Sequence, residues 1–249
     1  MTKTLLFTFV LALFLVGTCF ALDKDLVAYW TFDEGAGKTV EDMTGNGHDG
    51  EFVSNPEWVE GKFGKALEFD GSSSYVKVAD DPQIAIKLNA TYCLWFKPSV
   101  TINAANSNYR MLSKNNDYFF LFNYEQLGQL GFLIKDPGGT NHVVHSNTNE
   151  WNEGEWYHAA GTFDGKEVKI YINGEFENTM AHNGEAGTSG MDLWIGADDL
   201  PNYYAGAIDD FRIYKRVLTD NEIKQAMNTP ALAVQTAVSA ITWGEIKAQ

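Results

Sequence analysis

The chain has 249 residues, 45% of them hydrophobic, and sets 18 Lys and Arg against 33 Asp and Glu for a formal charge of −15. That length and apolar share support one sizeable core, and an all-β chain of this size need not be split into domains. The acidic balance excludes a nucleic-acid binder, which needs a basic footprint, and argues against docking on anionic lipid; it is compatible with divalent cations, with neutral glycans, and with simple solubility.

Residues 1–21 read as a secretory signal peptide: Lys3 supplies the positive start, Leu5 to Val16 form an apolar run too short to span a bilayer comfortably, and Ala21 precedes the cleavage point. Cleavage removes Lys3 and no acid, so the charge moves one unit further negative. It also removes Cys19 and leaves Cys93 alone, which rules out an intramolecular disulfide. Cys93 sits in the apolar run TYCLWF and reads as a small buried hydrophobe. The mature chain holds no further stretch apolar enough to cross a membrane, and it is expected outside the cytoplasm, secreted or at the cell surface or in the periplasm.

From residue 26 onward nearly every segment reads as a short strand closed by turn residues. LVAYWTF (26–32), KALEFD (65–70), SYVKVA (74–79), TYCLWFKP (91–98), YFFLFNYE (118–125) and LGFLIKD (130–136) are rich in aromatic and β-branched residues. EWYHAAGTF (155–163), EVKIYI (167–172), DLWIGA (192–197) and AIDDFRIY (207–214) follow in the same manner. Asp164-Gly165 and Asn173-Gly174 are both expected as type I′ hairpin turns, giving a three-strand meander. Alternation places Val168, Ile170 and Ile172 on a core face. In the 118–125 run Tyr118, Phe120, Phe122 and Tyr124 share one face, with Phe119 and Leu121 on the other. Such a strand is either central and covered on both sides, or meets a ligand on one. Thr219 and Glu222 form a capping box that starts a helix ending near Asn228, with Ile223, Ala226 and Met227 as its apolar stripe. The expected organisation is a signal peptide over 1–21, one domain over 25–228, and a tail over 229–249.

Four segments carry a family resemblance: LVAYWTFDEGAGKTVEDMTGNGHDG (26–50), GKFGKALEFDGSSSYVKV (61–78), EWYHAAGTFDGKEVKIYING (155–174) and YYAGAIDDFRIYKRVLTDNEI (203–223). Together they resemble the laminin G-like jelly-roll domains of the concanavalin A-like lectin/glucanase class. The resemblance implies an all-β fold, a two-sheet antiparallel β-sandwich with one short C-terminal helix, whose first and last strands are neighbours.

The resemblance also implies a structural Ca2+ at the junction of the chain ends. Calcium takes six to eight oxygen ligands from carboxylates, amides and backbone carbonyls. The segments FDEG, DMTGNGHDG and GAIDDFRIY supply Asp33, Asn46 with the Gly47 carbonyl, and Asp209 or Asp210 as the expected ligands. His48 stands where the family pattern has an Asn. The competing reading is that Asp, Asn and Gly merely make the turns, and that Asp209 and Asp210 pair with Arg212 or Lys215.

Retaining glycosidases of this fold class need two close carboxylates. The nearest match, Glu68-Phe69-Asp70, has Ser73 where a further Glu belongs, and Asp70 reads as the start of a turn. No H-E-x-x-H, G-x-S-x-G or P-loop pattern is present. The chain is therefore read as non-catalytic, a module for an extracellular glycan or protein partner. Tyr109, Tyr118, Tyr124, Asn141, His142 and Asn147 are the expected ligand contacts on a concave face, and Trp194, Tyr203 and Tyr204 form a second aromatic group. The alternatives are a structural or adhesion protein with no small ligand and, third, a glycoside hydrolase.

Overall fold

The computed structural model describes residues 23–105, 108–115, 117–122, 127–199 and 202–229. The signal-peptide segment 1–21 and the tail beyond Thr229 lie outside these residues, as does Tyr124. The strands form two antiparallel sheets. The first runs β14 (Glu175–Ala181), β13 (Glu167–Ile172), β12 (Tyr157–Phe163), β7 (Ala90–Pro98), β16 (Ala205–Tyr214), β5 (Lys65–Asp70), β4 (Glu57–Glu60), with β1 (Leu26–Trp30) also paired to β16. The second runs β11 (Asn141–His145), β10 (Leu130–Lys135), β9 (Tyr118–Phe122), β8 (Tyr109–Lys114), β15 (Leu193–Ile195), β6 (Tyr75–Val78), β3 (Gly50–Val53), β2 (Thr39–Val40).

The period-2 rule decides what fills the space between the sheets. Trp30, Leu94, Phe96 and Phe211 from the first sheet and Phe120, Phe132 and Ile195 from the second are fully buried there. Val168, Ile170 and Ile172 join them, as their alternation requires. The two indoles deepest in the core keep their N–H groups satisfied: Trp30 Nε1 donates to the His48 carbonyl at 2.8 Å and Trp151 Nε1 to that of Gly128 at 2.9 Å. The sheets approach so closely at Gly161 that a Cβ there would lie 2.4 Å from the Phe132 ring. Only a residue without one lets these two layers meet.

The Asn173-Gly174 turn has φ 50° and 77°, the two positive angles of type I′. The Asp164-Gly165 turn departs from expectation, since only Gly165 has positive φ. Asp164 instead accepts from the Lys166 and Glu167 amides at 2.8 and 2.9 Å, an Asx turn that its carboxylate stabilises.

β16 is the organising strand. One edge pairs with β7; the other pairs with β5 through residues 205–208 and with β1 through residues 211–214. The register slips between Asp209 and Arg212, and Asp210 takes φ 55°. This bulge lies where β16 exchanges one neighbour for the other, and it brings Asp209 and Asp210 to the chain-end junction.

Helix α1 (Asp220–Asn228) packs on the outer face of the first sheet, burying Ile223 and Ala226 with Tyr29, Cys93, Tyr171 and Leu218. The capping box forms as expected. Arg212 fastens the far end of the helix: its guanidinium donates to the Ala226 carbonyl at 3.0 Å, the Thr229 carbonyl at 2.8 Å and Asp210 Oδ2 at 2.6 Å, and lies over the Tyr29 ring. Burial opposes its charge, but Asp210 outweighs that and keeps it firmly protonated. Cys93 is buried beneath the helix, where desolvation pushes its thiol up to about 12 and leaves it inert.

Candidate functional site

The expected metal ligands separate into two places. Asp33 Oδ1 accepts from the Lys65 amide at 2.7 Å, and Asp209 Oδ2 accepts from the Lys62 and Phe63 amides at 2.7 and 3.0 Å. Both carboxylates thus hold the loop 61–64, where Gly61 and Gly64 leave room for them: a Cβ on either would collide with Asp209 or Asp33. Asp209 is fully buried. Desolvation, with the charges of Asp210 and Asp33, pushes its carboxyl up to about 8. Its Oδ1, and Oδ1 of Asp210, find no donor. This acid cluster calls for a positive partner, which a proton or a cation can supply.

Asn46 and Gly47 lie elsewhere. Asn46 Nδ2 donates to the Val27 carbonyl at 2.9 Å. Val27 stands at the Tyr214 end of the β1–β16 ladder, whereas Asp209 lies beyond the Trp30–Phe211 rung at the other end. The separation along the strand is roughly 15 Å, so one ion cannot take ligands from both. Among the described residues no group of three or more His, Cys, Asp and Glu side chains is arranged to hold a metal.

The loop containing Asn46 is organised by Asp42 and His48. Asp42 accepts from the Tyr29 and Thr44 amides at 3.1 and 3.0 Å and from the Thr44 hydroxyl at 2.7 Å. His48 Nδ1 stands 3.0 Å from Asp42 Oδ2, and His48 Nε2 lies 3.6 Å from Asp81 Oδ1 in the β6–β7 loop. Burial disfavours the charged ring, but its hydrogen bond to Asp42 and the charges of Asp42 and Asp81 outweigh this and raise its pKa. The residue that departs from the family pattern thus links two loops, with Nδ1 on Asp42 and Nε2 facing Asp81.

Of the expected ligand contacts, Tyr118 is corrected. It is 1% exposed between the sheets, its ring 4.1 Å from that of Tyr92, and offers no face to a ligand. Tyr109 is half-buried and packs against the core. Asn141 is exposed on the edge strand β11. His142 is held by Asp136 at 3.2 Å and packs against His182. Asn147 is bound to Glu177, amide to Oε2 and Nδ2 to carbonyl, each at 2.7 Å. These residues therefore do not assemble into one surface. The outward residues of the same strands, Phe119, Leu121 and Leu133, form a small apolar cluster of their own.

Within the second aromatic group, Tyr204 is fully buried. Trp194 faces outward, since its neighbours Leu193 and Ile195 point into the core. Its ring stacks on Tyr75 at 4.5 Å with an 18° interplanar angle. Tyr75 is the outward partner of Val76 on β6 and was not among the expected contacts; its alternation with Val76 and Val78 was visible, but its partner, 119 residues away, was not. Both rings are half-buried. Ion pairs stand at the two ends of β15: Lys77 with Asp192 at 3.2 Å, and Arg110 with Asp198 at 3.1 Å. Asn202 adds donors to Asp198 at 3.2 and 3.1 Å. The result is a platform of two rings stacked face to face, each covering one face of the other, with polar groups beyond its edges.

The Glu68-Phe69-Asp70 run supplies no acid–base pair of the expected kind. Asp70 accepts from the amides of Ser72, Ser73 and Ser74 at 2.8, 2.8 and 3.0 Å and from the Ser73 hydroxyl at 2.8 Å, which hold its carboxyl far below the usual range against the opposing effect of burial. It is the turn-forming residue that the sequence suggested. His158, buried beside Trp95, is pushed down to about 3 by desolvation and by the Arg212 charge, and stays neutral.

Residues 70–224 match the family model described as the concanavalin A-like lectin/glucanases superfamily, in its laminin G-like form, and the chain belongs to that superfamily. A curated relative, pappalysin-1 of Mus musculus, is 32% identical over 84 residues; this is 32% of the chain and 5% of that protein, so the chain spans only a small part of its length. Among solved structures, domain 4 of AbnA, a GH43 extracellular arabinanase from Geobacillus stearothermophilus, in complex with arabinotriose, is similar at TM-score 0.64 and 22% identity, covering 82% of this chain and 98% of that domain. The binding domain of Paraclostridial Mosquitocidal Protein 1 is similar at TM-score 0.68 and 17% identity, covering 82% of this chain and 52% of that one. The botulinum neurotoxin serotype D ligand binding domain, in complex with N-acetylneuraminic acid, follows at TM-score 0.62 and 16% identity, covering 83% and 51%. At these identities the likeness establishes the jelly-roll fold, and the chain spans about half of each toxin domain. Among the described residues no helix is long and apolar enough to cross a membrane.

Proposed function

We propose that this chain is a secreted, non-catalytic binding module that holds an extracellular glycan against the Trp194–Tyr75 platform on the outer face of the second sheet. The stacked, half-exposed pair is the observation that carries the reading. Sugar rings lay their C–H faces on aromatic rings and turn their hydroxyls to polar groups around the rim, and the part-exposed Arg110 and Asn202 are the candidates for the second task. The arabinotriose complex of the arabinanase domain shows that a protein of the same fold binds a saccharide. The leader-like residues 1–21 support an exported chain. The test is binding to a glycan array before and after Trp194→Ala. Loss of every bound glycan in a variant with unchanged unfolding supports the platform; an unchanged binding pattern removes it.

A structural calcium ion belongs to the same reading. Its support is the buried Oδ1 atoms of Asp209 and Asp210, which have no donor, with the exposed Asp33 carboxylate near them; these three side chains alone do not form a metal-holding group, and backbone carbonyls would have to complete the set. The ion would supply the positive charge the acid cluster calls for and add its binding free energy to folding stability. Thermal unfolding in EDTA and in calcium, repeated for Asp33→Ala, tests it. A calcium-dependent rise in Tm that the variant loses is the expected result, and no shift in the wild type removes calcium from the account.

A further inference from the structure

The loops at one end of the sandwich enclose a groove that the platform does not use. It consists of two adjoining cavities of about 610 and 470 Å³, which share Lys87 and Thr188. Their walls are the β6–β7 loop, the β10–β11 turn and the β14–β15 loop. Main-chain hydrogen bonds join these walls: the Ala186 amide donates to the Lys87 carbonyl at 2.8 Å and the Gly187 amide to the Lys135 carbonyl at 2.7 Å. The groove is therefore built before any ligand arrives, and each cavity is of the size that small-molecule sites occupy.

The chemistry of the lining is mixed. Asp136 and Glu185 line one cavity and Asp80 the other, with Lys87 between them. Gly138, Gly187 and Gly190 leave backbone groups open, and Pro82, Ala85 and Ile86 supply short apolar surface. Behind the wall lies Asp117, 2% exposed, near Ser189 of the lining. The Lys114 ammonium, fully buried, stands 3.5 Å from it and also binds Asp80. That ammonium disfavours a metal ion, and the near balance of acids and lysines disfavours a strongly charged ligand. No aromatic ring lines either cavity, so a flat heteroaromatic ligand finds no stacking partner there. Hydroxyl groups suit the lining best: they donate to the carboxylates and accept from Lys87 and the loop amides.

We propose that this loop-end groove is a second saccharide site, which takes a neutral oligosaccharide through hydrogen bonds to Asp136, Glu185, Asp80 and Lys87 rather than by stacking. It adds to the binding-module reading and is separable from the Trp194 platform. The experiment measures binding of the full chain to immobilised arabinotriose, xylotriose, cellotriose and mannotriose, with Thr188→Trp to fill the groove and Trp194→Ala to remove the platform. Thr188 is exposed, so the tryptophan does not disturb the core; matching urea midpoints check this, and Glu185→Gln provides a second groove variant. The expected result is a triose whose Kd weakens at least tenfold in Thr188→Trp and weakens in Glu185→Gln, while staying within twofold in Trp194→Ala. Binding lost only in Trp194→Ala overturns the groove and leaves the platform standing. A wild-type protein that retains none of the four overturns the groove.

Discussion

Replacing Arg212 by Met keeps the length of the side chain and deletes its charge, leaving Asp210 buried without a cation. Removing one partner of a buried ion pair costs about 3–5 kcal/mol. Proton uptake sets a ceiling: neutralising an ordinary carboxyl at pH 7 costs about 4 kcal/mol. The Ala226 and Thr229 carbonyls also lose their donor; the part-buried Thr229 carbonyl at the helix end can turn to water, while the buried Ala226 carbonyl adds to the loss. The expected loss is about 4 kcal/mol, a large part of the roughly 5–15 kcal/mol that holds a domain folded. With a urea slope near 2 kcal/mol/M the midpoint falls by about 2 M. Two further signatures distinguish the ion pair from lost packing. Adding Asp210→Asn recovers most of the loss, because Asn tolerates the positive φ at this position, and the single variant regains stability on acidification as Asp210 takes up its proton. A loss below about 1 kcal/mol, or a double variant no more stable than Arg212→Met, refutes the reasoning.

His48 predicts a pH dependence of known sign. Its folded pKa is raised, so the stabilisation is fully present below the unfolded value near 6.5 and is lost as pH rises through the higher folded value; chemical denaturation between pH 6 and 9 shows the decline, and His48→Asn flattens it. Thr219→Ala removes the capping box and lowers stability by about 1 kcal/mol, read from the urea midpoint, with the loss centred on α1 in hydrogen exchange. Gly161→Ala sets a methyl against the Phe132 ring and costs at least about 1–3 kcal/mol; a variant as stable as the wild type shows that the sheets separate more readily than their packing implies.

Local regularities were legible in the sequence. Alternation identified the core face of β13, the Thr219–Glu222 pair marked the helix start, and Asn173-Gly174 fixed a hairpin turn, because each of these is decided by residues within one turn or strand. The short strands β2, β3 and β4 carry too few residues for a pattern. Tyr118 was misplaced because a strand apolar on both faces does not say which face meets the other sheet. The metal segments were correctly brought to neighbouring strands, but their position along the ladder depends on where β16 changes partners, a register that no local motif encodes. The bridge formed by His48 required Asp81 from a distant loop, and the platform required Tyr75 from another sheet strand.

The position of β16 also constrains the order in which the protein can form. Residues 205–214 are nearly the last of the domain to be synthesised, yet they lie between β7 and β5 and against β1. Until they emerge from the ribosome, strands from opposite ends of the chain have no common partner, and the first sheet remains in three pieces with open edges: β14-β13-β12-β7, β5-β4 and β1. Folding is therefore deferred to chain completion and is dominated by pairings distant in sequence, a topology that folds slowly. A chain cut short before residue 205 is left with unpaired edges that invite aggregation.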